Sequence, residues 1–382
     1  MVVLVLLTLE IAEDPLESFL DTIYLQSHSE KSRRAYRINI NKFRRFIVES
    51  YHLDDIELVK RIQEKDLDVF DVLRKFVVYL DKSGKSPATI KLCLAAVKGY
   101  LRHQKIKIYS EDFKQNVRLP KKVRTREEPM TKEILVRLLH ILPLKLQAAV
   151  LVGCSSGMRL GEIIQLKIGD VDFSCKPVRI QIRAETTKTR ESRETYLTSE
   201  AAISLKDYLS SFFGWVDGQQ NNLLKDQVIF GPTRKSKQNS RKLEASQRAE
   251  STIIGSLKGY VKKITELNRL NENGRRVIHF HAFRKYFRTV VGDAVGRDYA
   301  EALMGHHFYM DTYYNLPVEK RREMYLKAEP HLTISDFEKI ERNQNRIVER
   351  QMEIEEALAK LGIKFSTDLE KDLSRNFQSM IN

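Results

Sequence analysis

Ser155-Ser-Gly-Met-Arg-Leu-Gly-Glu-Ile-Ile-Gln-Leu166 decides how the second half of the chain folds. The apolar run from Leu146 reads as a buried helix, and Gly157 breaks it, since glycine takes the left-handed backbone at no steric cost. A second, amphipathic helix starts at once, which puts Arg159 near a helix N-terminus, where backbone N–H groups favour an anion. Glu162 stands three residues on, within reach of the guanidinium. Taken alone, this is equally a surface arginine with a local ion pair.

The reading extends outward from that break. Thr131 is placed to cap the helix before it, with Ile134 inside its first turn. Downstream, Val178 to Ile182 alternates as a strand, and Thr186 to Leu197 suggests a hairpin. Phe212 to Arg248 reads as loop-dominated, with helices resuming at Thr252. Upstream, apolar residues at helical spacing (Ile40, Phe43, Phe46, Ile47; Val69, Leu73, Phe76, Leu80; Ile90, Leu94, Val97, Leu101) mark three helices. Arg33, Arg34 and Arg37 stand beside the first of these stripes, and Lys91 and Lys98 lie between the apolar positions of the third. Leu119 to Pro129 is a proline-bounded basic connector carrying Lys121, Lys122 and Arg124. The expected division is an apolar arm at 1–12, a helical domain at 13–118, a linker at 119–129, a second domain at 130–330 and a helical tail at 331–382. In the tail Ile340, Ile347, Ile354 and Leu361 recur every seven residues, but Gln344 and Gln351 weaken any coiled-coil seam.

The 382 residues carry a formal net charge of +15, which favours a polyanionic partner, DNA or RNA first. Three scattered cysteines exclude a disulfide framework and a cysteine zinc site and suit a reducing compartment, so a cytoplasmic location is expected. MVVLVLLTLEI is too short to span a bilayer, and no other stretch approaches that length, so no membrane partner is expected.

Two more segments carry chemistry. In His279-Phe-His-Ala-Phe-Arg-Lys-Tyr-Phe-Arg288, His281 and Arg284 are three apart and share a helix face, while Phe280, Phe283 and Phe287 form the core stripe. Arginine offers a rigid fork of donors and histidine a movable proton, so the pair suits a phosphate. No third ligand stands near His279 and His281 to make a metal site. In Leu303-Met-Gly-His-His-Phe-Tyr-Met-Asp-Thr-Tyr-Tyr-Asn-Leu-Pro317, Gly305 ends a helix, His306 follows, and Tyr313 and Tyr314 precede a proline. A tyrosine, with a pKa of about 10, becomes a useful nucleophile where cations stabilise its phenolate character.

Taken in order, Arg159 with Glu162, then His281-x-x-Arg284, then Gly305-His306, then tyrosine, the chain resembles the tyrosine recombinase family of phage integrases and chromosome-dimer resolvases. The resemblance implies a mainly α fold with a small β-sheet, comprising a helical SAM-like core-binding domain, a catalytic domain and a helical C-terminal tail. Arg159, His281, Arg284 and His306 match the family's phosphate-binding set, and Glu162 the acidic residue that supports the first arginine. A hairpin lysine completes the set. Lys188 fits, with Arg190 as the fallback. Many members place the nucleophile nine residues after the histidine, which here is Asn315. This chain departs by one, in a pattern closer to archaeal viral and plasmid integrases, and Tyr314 is then the nucleophile, ahead of Tyr313 and Tyr309.

The implied activity is site-specific recombination through a 3′-phosphotyrosine, without metal, nucleotide or other cofactor. It would act as a tetramer on two double-stranded DNA sites, the two domains closing as a C-shaped clamp on each. The alternatives are a type IB topoisomerase, which shares the chemistry, and a DNA-binding protein with a decayed site.

Overall fold

The computed structural model describes residues 14–121, 128–216, 224–231, 242–271, 274–306 and 316–335. The N-terminal arm, Lys122 and Arg124 of the linker, Tyr309, Tyr313 and Tyr314, and the tail beyond 335 lie outside the described residues. The chain divides into two compact units, 1–126 and 127–382.

The first unit is helical: α1 (Pro15–Ser27), α2 (Glu30–Tyr51), α3 (Asp55–Gln63), α4 (Val69–Lys82), α5 (Pro87–His103) and α6 (Ser110–Asn116). Asp14, Ser29, Asp54, Asp68 and Ser86 each cap a helix by accepting a backbone N–H through the side chain. Proline at the first position of α1 and α5 costs nothing, because that N–H has no helical partner. The periodic residues read from sequence form the core, with Phe43, Phe46 and Phe76 packed ring to ring. At its edge Asp55 accepts from Tyr100 (2.5 Å) and Arg44 (2.8 Å), so the carboxylate under these helices is paired.

The second unit holds α7 (Lys132–Ile141), α8 (Leu144–Ser156), α9 (Leu160–Ile163), β1 (Val171–Asp172), β2 (Val178–Ile182), β3 (Arg193–Leu197), α10 (Ser199–Phe213), α11 (Lys242–Lys262), α12 (Phe280–Val295), α13 (Arg297–Met304) and α14 (Val318–Leu332). Helix α8 is apolar on every side, and from Ala148 to Ser156 it is buried throughout, so it forms the centre of the core. The strands make one antiparallel sheet in the order β1-β2-β3, with Ile180 opposite Thr195 and Ile182 opposite Arg193. Thr131 caps α7 through Ile134 N–H.

Two expectations need correction. The hairpin expected over Thr186 to Leu197 is instead formed between β2 and β3, and only Arg193–Leu197 of that stretch is strand. Before it come a 3-10 turn at Ala184–Thr186 and a loop stapled by Thr187, whose hydroxyl shares its one proton between the carbonyls of Ala184 and Glu191 and accepts from Glu191 N–H. Helix also resumes at Lys242 rather than Thr252. Ala249, Ile253, Leu257 and Val261, spaced four apart, are its buried stripe, and charged helix formers extend it beyond that stripe at the N-terminal end.

Candidate active site

The break after α8 builds the site. Gly157 has φ +64°, and a Cβ there would lie 2.4 Å from Cδ1 of Phe287, so both conformation and space demand glycine. A helix end leaves carbonyls without helical partners. Here three consecutive ones are taken by three elements: Tyr325 Oη of α14 donates to Ser155 (2.7 Å), Thr195 Oγ1 of β3 to Ser156 (2.8 Å), and Arg284 Nη1 of α12 to Gly157.

Arg159 is the N-cap of α9. Its backbone N–H donates to Glu162 Oε2 (2.8 Å) and its Nη1 to Oε1 (3.1 Å), which fixes the guanidinium against the turn. Glu162 is only 2% exposed. Its other partner is one that sequence reading missed: Arg193, the first residue of β3, donates Nη1 to Oε1 (3.1 Å) and Nη2 to Oε2 (2.6 Å). The Arg193 Nε also donates to the Leu303 carbonyl at the end of α13 (3.0 Å), and its side chain lies against Gly305, where a Cβ would come within 2.8 Å. Burial opposes the charged form of Glu162, but the Arg193 and Arg159 guanidinium groups outweigh it and hold the carboxyl below its usual range.

Arg284, also 2% exposed, reaches the Gly157 carbonyl, the Met304 carbonyl (2.8 Å) and His306 Nε2 (2.8 Å). Burial, then the nearby Arg159 charge, pushes this guanidinium down to about 9, which leaves it cationic at neutral pH. Arginine only donates, so His306 Nε2 is an acceptor and the ring proton lies on Nδ1, directed at Glu301. Burial, Arg284 and Arg159 lower the His306 pKa, and Glu301 partly offsets them.

Arg159, His281 and Arg284 line one cavity of about 460 Å³, together with Lys258, Arg276, His279 and Glu250. Phe280, Leu257 and the exposed Ile254 add apolar surface to its lining. Such a cavity, with cations beside apolar surface, suits an anionic group of limited size. Lys188 is exposed on the Thr187-stapled loop, and Arg190 beside it has φ +60°. In the first unit, Arg34, Lys91 and Lys121 are exposed. Arg33 is bound to Asp21 (2.7 Å) and Glu17 (3.4 Å), and Arg37 to Glu17 (2.7 Å), while Lys98 lies 3.9 Å from the ring centre of Phe113. Among the described residues no cluster of three acidic, histidine or cysteine side chains could hold a metal ion, and no helix is long and apolar enough to cross a membrane.

The sequence model described as the phage integrase family matches residues 128–313, and that of the phage integrase N-terminal SAM-like domain matches residues 16–105. The chain is 27% identical over 208 residues to tyrosine recombinase XerC of Chlamydia caviae, spanning 50% of this chain and 65% of the relative. It is 30% identical over 149 residues to tyrosine recombinase XerA of Thermococcus kodakarensis, spanning 38% and 50%. The match thus spans less than two thirds of either relative's length. Among solved structures, a lambda integrase (residues 75–356) dimer bound to a COC′ core site aligns with 80% of this chain and 98% of its own, at 14% identity and a TM-score of 0.51, a likeness of fold. With both of its folded units matched, the chain belongs to the phage integrase family.

Proposed function

We propose that this chain is a site-specific recombinase that cuts and rejoins DNA strands through a 3′-phosphotyrosine. The observation that carries the reading is the convergence of Arg159, His281 and Arg284 on one cavity. Phosphoryl transfer asks a protein mainly for position and charge stabilisation, and two buried or half-buried guanidinium groups supply both. In this scheme Arg159 and Arg284 hold the non-bridging oxygens of the scissile phosphate. Glu162 and Arg193 fix the first of them in direction, and the carbonyls of Gly157 and Met304 fix the second.

The Tyr314 oxygen forms a bond to phosphorus and loses its proton to a site histidine. The bond from phosphorus to the 5′ oxygen breaks, and Lys188 gives that oxygen a proton. Attack by a 5′ hydroxyl of a second strand reverses the step, so no external energy source enters. Exposed Arg34, Lys91 and Lys121, together with the linker's Lys122 and Arg124, contact the DNA backbone, and the partners are two duplex sites held by a tetramer, in the setting of a mobile element such as an archaeal virus or plasmid.

A duplex nicked beside the scissile phosphate tests the scheme, because its short fragment diffuses away and leaves the protein joined to DNA. The wild type and Tyr313→Phe form the adduct. Tyr314→Phe binds the duplex and forms none. Absence of any wild-type adduct overturns the recombinase reading, and an adduct with Tyr314→Phe overturns the choice of nucleophile.

A further inference from the structure

The turn that ends α13 places a second carboxylate behind the site. Gly305 is left-handed, its N–H donates to the Ala302 carbonyl (3.0 Å), and the His306 N–H donates to the Glu301 carbonyl (3.1 Å). This six-to-one and five-to-two pairing brings the residue after the glycine over the residue five before it. An apolar contact often occupies that spot. Here it is Glu301 and His306, and the imidazole Nδ1 meets the carboxylate. Glu301 is 12% exposed and has a second donor, Arg288 Nε, from α12. Burial opposes its charge, but His306 and Arg288 prevail and hold the carboxyl below its usual range.

The opposite ring nitrogen meets the cavity-lining Arg284, which donates to Nε2. A neutral imidazole cannot have both nitrogens unprotonated, so the acceptor at Nδ1 determines what Nε2 can do. We infer that Glu301 is a positioning residue that holds His306 as the Nδ1–H tautomer, so that Nε2 is the proton acceptor presented to the phosphate site.

Among the described residues, the charged groups around this ring are Glu301 on its own turn, Arg284 and Arg288 of α12, Arg159 of the α8–α9 turn, and Arg193 of β3 against Gly305. Four of the five are cations, which oppose a protonated ring. Glu301 is the one group of this set that offsets them, and Arg288 in turn weakens Glu301. The two therefore act on His306 in opposite senses. Replacing the carboxylate by an amide leaves a single acceptor oxygen for two donors. When Arg288 takes that oxygen, the amide NH2 faces Nδ1, and the ring proton moves to Nε2 as Arg284 turns from the ring to its carbonyl acceptors at Gly157 and Met304.

The inference takes its chemistry from the recombinase reading, but its geometry stands apart, and full-length protein tests the two separately. Histidine-selective 15N labelling reads the ring, with the His306 signals identified by their loss in His306→Gln. The expected wild-type pattern is a protonated Nδ1 and a bare Nε2, and Glu301→Gln shifts the proton toward Nε2. On the nicked duplex, Glu301→Gln keeps wild-type binding but slows adduct formation at saturation by roughly 10²–10⁴-fold, the range for a general base held in the wrong tautomer. The acidic limb of its pH–rate profile moves to lower pH by on the order of one pH unit, and that of Arg288→Gln moves to higher pH. A wild-type ring protonated at Nε2, an unchanged tautomer in Glu301→Gln, or limbs that move in the same direction overturns the inference. A merely structural role would not produce opposite displacements. If no wild-type adduct forms, the recombinase reading fails while the tautomer is still decided by the spectrum.

Discussion

Arg193 and Glu162 form a two-bond pair, at 3.1 and 2.6 Å, between a strand and a helix turn 31 residues apart in sequence. With Glu162 buried, this pair joins the Arg159 turn to the end of α13, since the same guanidinium also holds the Leu303 carbonyl. Arg193→Met leaves the buried carboxylate with Arg159 alone. A loss of about 3 kcal/mol is expected in urea unfolding, the usual cost of breaking a buried pair from one side. Arg193→Lys recovers little of it, because an ammonium cannot make the two parallel bonds. A full recovery by lysine would show that charge alone matters here.

The pH dependence of stability follows from the same pair. The Glu162 carboxyl is depressed in the folded protein, so its contribution is complete above the unfolded value of about 4.3 and is lost as pH falls through the lower folded value. Wild type and Glu162→Gln should therefore differ most in stability near pH 7, and the gap should narrow below about pH 4. Melting temperatures across that range check it. A gap that stays constant to pH 3 would mean the carboxylate charge is not what stabilises the turn.

At Gly157 the expectation is steric. Gly157→Ala combines a left-handed backbone with a Cβ driven into the Phe287 ring, and a destabilisation of about 2–4 kcal/mol is expected. Phe287→Leu in the same chain relieves the contact but not the backbone strain. In a double-mutant cycle of denaturant midpoints, the pair should therefore cost less than the sum of the single changes.

Removing the loop lysine tests its assigned role. Lys188→Ala is expected to slow adduct formation on an ordinary duplex by roughly 10²–10⁴. A duplex with sulfur in place of the bridging 5′ oxygen needs no proton on its leaving group, and there the variant should react nearly as fast as wild type. If Lys188→Ala is slow on both, the lysine does not act as the acid, and Arg190→Ala becomes the variant to compare.

The first unit separates exposed from internally paired cations. Arg34→Gln and Lys91→Gln should each weaken duplex binding and lower the slope of log affinity against log salt by about 0.9. Arg33→Gln should alter that slope less, because Asp21 and Glu17 already neutralise its charge. Titrations at several salt concentrations distinguish the two. An equal loss of slope for all three would show that DNA draws Arg33 out of its pairs.

The local signals were the legible ones. The glycine break at 157, the Thr131 cap and the phenylalanine stripe of α12 could all be read because each depends on neighbours within a turn or two. Helices α1 and α3 went unread, although Asp14-Pro15 and Asp54 are ordinary start signals, because their apolar faces are short. The bounds of the hairpin near Thr186 are not legible because a loop stapled by one threonine hydroxyl carries no period of its own. Arg193 could not be found from sequence, since its partner lies across the fold. Glu301 could have been: a glutamate four residues before a helix-ending glycine, with histidine next, specifies the contact through turn geometry alone.

Tyr325 hangs α14 from the Ser155 carbonyl, and Leu316, just before that helix, packs on the same core. Position 314 is two residues from Leu316, so while α14 keeps its seat their Cα atoms are never more than about 7 Å apart. Were residue 314 to serve a neighbouring subunit, it could stray no farther than that tether from a seated α14, and a longer journey would require the buried Tyr325 phenol to let go of Ser155.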